Sequence, residues 1–209
     1  MLKQIKTIHR EGRDEFVVSR SRFIGSSMPV THEEGALSFI EGVRKTYWDA
    51  SHHAWAYALG GSRERYSDDG EPRGTAGVPI LEVIHKEGLQ DLVIVVTRYF
   101  GGVKLGAGGL FRAYTQGAKA AISASGILLR LPHQSFRITA AYAHAEKLQK
   151  EFAAREYYVK DAEYTDQVTI SLLVPPQDAE ALIALTAECT AGQGVVLPGG
   201  EEYLDSIVD

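Results

Sequence analysis

The stretch Asp91–Thr97 constrains this chain more than any other, because its centre reads Leu92-Val93-Ile94-Val95-Val96 without a polar break. Five consecutive apolar residues, four of them β-branched, suit a strand buried on both faces. A sheet covered on both sides needs helices to cover it, and the surrounding periodicities supply them. Strands are predicted at Gln4–Arg10, Phe23–Val30, Ala54–Gly60 and Ile127–Leu131. Helices are predicted from about Thr31 to Tyr47, over Ala76–Lys86 and from about Leu110 to Ser123. Thr31-His32-Glu33-Glu34 has the form of a capping box, with Thr31 as N-cap. Gly61–Thr75 reads as a polar loop.

Pro132 and His133 mark a boundary, giving domains of residues 1–132 and 133–209. Beyond it the predicted order is strand 136–142, helix 144–155, strand 157–164, strand 167–174, helix 178–190 and strand 194–197. The order β-α-β-β-α-β is the ferredoxin-like arrangement. The expectation is an α/β (α+β) chain of two domains.

Apolar residues make up 44% and charged residues 23%, ordinary values for a globular protein. No run approaches a membrane span, and Lys3, Lys6, His9 and Arg10 interrupt the first apolar stretch, so no signal peptide is visible. A single cysteine, Cys189, excludes an internal disulfide and a cysteine-rich zinc site. It shares a helix face with Leu182 and Leu185 and is expected in the core. A cytoplasmic protein without a metal or cofactor is the expectation.

The net charge of −5 conceals an asymmetry. Residues 1–132 carry 17 Lys and Arg against 14 Asp and Glu; residues 133–209 carry 5 against 13. A polyanion would meet the first domain and be repelled by the second.

Three segments of the first domain have chemistry to offer. Arg98-Tyr99-Phe100-Gly101-Gly102-Val103-Lys104-Leu105-Gly106-Ala107-Gly108-Gly109 joins the buried strand to a helix that carries Arg112 and Tyr114. Freed amides and a helix N-terminus there can hold an anion, with Arg98, Lys104 and Arg112 adding charge and Tyr99, Phe100 and Tyr114 adding stacking faces. Equally, the glycines permit a tight turn with no ligand. Neither standard phosphate motif is met: Ala107-Gly108 stands where a Walker loop needs Lys-Ser/Thr, and Phe111 where the dinucleotide fingerprint needs a small residue.

The second segment is Tyr66-Ser67-Asp68-Asp69-Gly70-Glu71-Pro72-Arg73-Gly74-Thr75-Ala76-Gly77. Its carboxylates suit a cation or a general base, or else an ordered turn capping the next helix; the alternating acids of a calcium loop are missing. The third is Asp49-Ala50-Ser51-His52-His53-Ala54-Trp55. Neighbouring strand residues face opposite ways, so the two histidines make a poor joint ligand, though one can meet Asp68 or Asp69. No Gly-x-Ser-x-Gly elbow supports a triad of Ser67, His53 and an aspartate.

Together with Ser21-Arg22-Phe23-Ile24, these segments resemble the signature of the Impact family, in its bacterial YigZ-like branch, over most of residues 20–120. The resemblance implies a first domain with the left-handed βαβ fold of a small-subunit ribosomal protein and of the fourth domain of elongation factor G. It implies a second domain like that factor's fifth. Eukaryotic relatives regulate translation through a ribosome-associated partner, using a further N-terminal domain not seen in this sequence. The resemblance carries no catalytic residues. The charge asymmetry and the mixture of basic and aromatic residues point to a non-enzymatic binding protein acting on RNA, the ribosome or a translation-associated protein, through Arg63, Arg65, Arg73, Arg98, Lys104 and Arg112. The alternative is an enzyme or ligand-binding protein whose Gly101–Gly109 loop cradles a phosphate-bearing small molecule.

Overall fold

Chain elements alternate as the periodicity predicts, with two edge strands that it does not. The structure is a computed structural model that describes residues 2–60 and 63–208. Strands β1 (Ile5–Ile8), β2 (Gly12–Val18) and β3 (Ser21–Pro29) precede helix α1 (Glu33–Thr46). Then follow β4 (His52–Leu59), β5 (Arg63–Ser67), α2 (Gly77–Lys86), β6 (Leu92–Tyr99) and α3 (Gly106–Ser125). The later elements are β7 (Ile127–Ala140), α4 (Tyr142–Ala154), β8 (Tyr158–Tyr164), β9 (Val168–Val174), α5 (Ala179–Cys189) and β10 (Val195–Val208).

The first compact unit comprises residues 5–129 with 206–208. Its sheet has the order β2-β3-β6-β4-β5, with every neighbouring pair antiparallel. Because β3 and β4 both pair antiparallel with β6, they run parallel to each other, and α1 is the crossover of a βαβ unit. Strand β6 lies at the centre, as its sequence requires. Leu92, Ile94 and Val96 belong to one core cluster with Ile80, Ile84, Tyr114 and Ala118 of α2 and α3. Val93 and Val95 belong to another with Ala36, Ile40 and Val43 of α1. One strand therefore anchors helices on both faces, and its alternation decides which residue meets which helix.

The second unit comprises residues 130–205 with 2–4. Its strands take the order β8-β9-β7-β10, which with α4 and α5 is the ferredoxin-like arrangement. Its core gathers Phe136, Ile138, Leu148, Phe152, Ile170, Leu172 and Leu182, and Cys189 lies buried among them.

Several expectations are corrected. Strand β5 occupies part of the predicted polar loop, of which Gly61 and Ser62 lie outside the described residues; β2 was also unforeseen. Both are edge strands with mostly exposed, charged residues, which propensity reads as loop. The predicted capping box does not form. His32 is the N-cap of α1 and makes no side-chain cap, while Glu33 accepts bonds from Tyr57 and Arg65. Helix α3 begins at Gly106, so three of the predicted loop glycines lie inside its first turn. The predicted linker at Pro132 and His133 is continuous strand in β7, and the compact units divide between Leu129 and Arg130. Pro132 lies outside the β7–β9 register, which starts at Gln134, so its missing amide breaks none of those ladder bonds.

Candidate functional site

The site lies where β3, β4 and β6 end on the face covered by α2 and α3. His52 pairs with Arg98 in register, two positions beyond Ala54 and Val96, so both side chains share that face. Arg98 is only 4% exposed. Its Nη1 donates to Glu71 Oε1 at 2.7 Å and its Nη2 to Ser21 Oγ at 3.3 Å. The guanidinium carbon lies 5.5 Å from the Phe23 ring centroid and 5.3 Å from that of Phe100. Tyr114, fully buried on α3, donates its hydroxyl to the same Glu71 Oε1 at 2.7 Å. Burial first, then the Glu71 charge, push the Tyr114 phenol far above its ordinary range, so it stays a donor.

The acidic loop supports this network from below. Asp68 accepts the amides of Gly74, Ala76 and Gly77 at 2.8–3.0 Å and so caps α2 from outside the helix. Asp69, at φ +46°, accepts Arg44 through Oδ1 at 2.8 Å and the His53 amide through Oδ2 at 2.6 Å. Its carbonyl lies 2.9 Å from His52 Nδ1. A carbonyl only accepts, so His52 carries its proton on Nδ1, and in the neutral ring Nε2 is left as an acceptor. Both carboxylates are thus engaged by backbone and arginine, and neither pairs with a histidine ring. No group of three or more His, Cys, Asp and Glu suited to a metal occurs among the described residues. Ser67 accepts the Asp69 amide at 3.2 Å, and the ring nitrogen of His53 that has a side-chain partner meets Thr97 and not Ser67.

His53 points to the opposite face, where Nδ1 lies 3.1 Å from Thr97 Oγ1. Burial is the largest influence on its ring and holds it below the ordinary histidine value. A base depressed in the fold binds fewer protons there than in the unfolded chain, so stability is complete above the unfolded value and falls as pH drops through the folded one. We therefore expect urea unfolding midpoints to decline from pH 7 toward pH 5. In His53→Gln the decline should be shallower, and an identical decline in both proteins would remove His53 as a source.

The glycine-rich turn divides into two roles. A Cβ on Gly101 would stand 2.0 Å from the Arg20 carbonyl oxygen, so glycine there is demanded by close approach to the β2–β3 turn. Gly102 and Gly106 take φ of +82° and +68° and redirect the chain into α3. Leu105 is the N-cap and offers no side-chain acceptor, which leaves first-turn amides of α3 without a cap from that residue. Around that end lies a cavity of about 510 Å³, lined by His52, Glu71, Arg98, Phe100, Lys104 and Leu110 among others. Beside it, Lys104 and Arg112 line a second depression of about 430 Å³.

The structure brings Arg98, Gly106, Lys104, His52, Glu71 and Pro72 to one cavity, with Arg112 alongside. It removes others. Arg98 is not a solvent-facing cation, because Glu71 neutralises it in the interior. Tyr114 has no free ring face. Tyr99 faces away on β6 and donates to Asp49. Arg63 and Arg65 pair opposite Leu59 and Tyr57, which belong to the α1-side core, and Arg65 bonds Glu33. Ser21 and Ser51 lie inside the segments singled out in the sequence, but no role is legible there for either. Ser21 bonds Arg98 across 77 positions and Ser51 accepts the Phe100 amide across 49, separations that leave no local signal.

Residues 19–122 match the family described as "Impact N-terminal domain", and residues 138–193 match a "Domain of unknown function (DUF1949)". The chain is 36% identical to "IMPACT family member YvyE" of Bacillus subtilis, over all of this chain and 97% of that protein. It is 29% identical to "IMPACT family member YigZ" of Escherichia coli, over 84% of this chain and 88% of the relative. A solved structure described as "Crystal structure of an hypothetical protein" superposes with a TM-score of 0.60 at 26% identity, covering 94% of this chain and 98% of that one. No helix among the described residues is long and apolar enough to cross a membrane.

Proposed function

The chain belongs to the Impact family, and from that premise we propose that it is a non-catalytic binding protein of translation whose first unit docks on ribosomal RNA. One observation carries the reading: Lys104 and Arg112 flank the first turn of α3, without an ion-pair partner among the described residues. A guanidinium nitrogen of Arg112 lies 3.7 Å from the place of a Gly108 Cβ, which sets that charge against the helix end. Two exposed cations and a helix N-terminus are the ordinary means of holding a phosphate backbone. Phe100, 49% exposed, adds a ring on which a base can stack. The engagement of Asp68 and Asp69 by backbone amides supports a binding role over acid–base chemistry. A cytoplasmic site of action follows from this reading.

Co-sedimentation with ribosomes at low and moderate salt tests it. Binding should weaken with salt, and Lys104→Ala with Arg112→Ala should lower the salt slope by about 2 while leaving the fold intact. Undiminished binding by the folded double variant would remove this face from the interface. Salt-insensitive binding would favour a translation-associated protein as the partner.

A further inference from the structure

The 510 Å³ cavity has a polar floor whose hydrogen bonding is incomplete. Arg98 and Glu71 form an ion pair with side chains 5% and 4% exposed. Two donors converge on Glu71 Oε1, which leaves Oε2 with no hydrogen bond among the described residues. Arg98 Nε is the one buried side-chain nitrogen or oxygen without a partner among the described residues. Glu71 lines the cavity, so its unused acceptor points to a donor-bearing molecule that completes it, while the Arg98 Nε–H lies closed off behind that wall and reports on what is seated against it. The remaining polar lining combines Glu71 and His52, which can accept, with Lys104 and the first turn of α3, which can donate. Phe100, Pro72, Leu105 and Leu110 supply apolar surface between polar groups. A ligand matching this wall carries an anionic group, a flat ring and hydroxyl or amino donors.

We infer that this cavity seats one phosphorylated nucleoside, its phosphate on Lys104 and the first turn of α3, its ring against Phe100, its donors toward Glu71 and His52. The inference rests on the docking reading above in taking the first turn of α3 as the phosphate contact. It adds that one nucleotide unit enters the cavity. The same chemistry comes from a free mononucleotide or from an unpaired nucleotide of an RNA strand.

The test titrates adenosine 5′-monophosphate, adenosine and a short single-stranded RNA into nitrogen-15-labelled protein, following the Nε–H resonance of Arg98, with ribosome co-sedimentation in parallel. The monophosphate should shift that resonance and bind about tenfold or more tightly than adenosine. Phe100→Ala, a half-exposed position whose loss spares the core, should weaken it about tenfold. If only the RNA shifts the resonance, the ligand is a nucleotide within a strand. If the monophosphate binds while ribosomes do not, the cavity stands with a free nucleotide and the docking reading falls. Salt-sensitive ribosome binding with an unmoved Arg98 resonance for every probe overturns the cavity and leaves docking in place. Equal affinity for adenosine and its monophosphate also overturns it, because the phosphate contact defines the proposal.

Discussion

Glu71→Ala is expected to cost about 3–5 kcal/mol of folding stability, measured by urea unfolding at neutral pH. The carboxylate accepts both Arg98 Nη1 and the Tyr114 hydroxyl, and the partners are almost wholly buried. A guanidinium does not give up its proton inside a protein, so Arg98 would remain charged without a counter-charge. The stacking of Phe23 and Phe100 near it cannot replace that charge at 5.5 and 5.3 Å. Glu71→Gln should fall between wild type and alanine, since it retains an acceptor and loses the charge. The double change Glu71→Leu with Arg98→Met should recover much of the loss, because removing a buried pair is milder than breaking it. A cost below about 1 kcal/mol for alanine would mean that water reaches Arg98, which is the scale of an exposed pair. The same experiment separates the structural use of Arg98 from any role in binding.

The second large effect is steric. Gly25 of β3 passes so near α3 that an added Cβ would stand 2.1 Å from the Gly117 carbonyl oxygen and 3.2 Å from the Ala121 Cβ. The first contact is with backbone, so no rotamer change can relieve it and the helix must move. Gly117 in turn lies close to Val96, whose Cγ1 would be 2.7 Å from a Cβ there. The pair of glycines therefore sets the spacing between α3 and the central strands. Gly25→Ala should destabilise by about 3 kcal/mol, at the upper end for an overpacked core. Gly42→Ala in α1 is the control, because nothing lies within 4 Å of its added Cβ and helix propensity favours alanine by about 1 kcal/mol. A neutral Gly25→Ala beside a stabilised Gly42→Ala would show that α3 is free to retreat from the sheet.

The division between what the chain announces and what it conceals follows the range of the forces involved. Leu92–Val96 made the central strand legible, and the apolar periods around it made α1, α2 and α3 legible, because burial leaves a repeat in the sequence itself. The second unit's β-α-β-β-α-β order was legible for the same reason. Edge strands β2 and β5 were not, since a strand with one free edge and exposed charged residues has no such repeat. The capping box failed because the helix starts one residue later than Thr31 and Glu34 require, with His32 as its N-cap. The glycine-rich turn was found at its true place, and its division into a close approach at Gly101 and a helix start at Gly106 was not. By itself the sequence determined that two α/β units form and which segments hold unusual residues. Tertiary structure alone decided that Arg98 is an interior cation and Lys104 an exterior one. That choice depends on Glu71, Ser21 and Tyr114 arriving from distant segments, and on the desolvation that only their packing imposes.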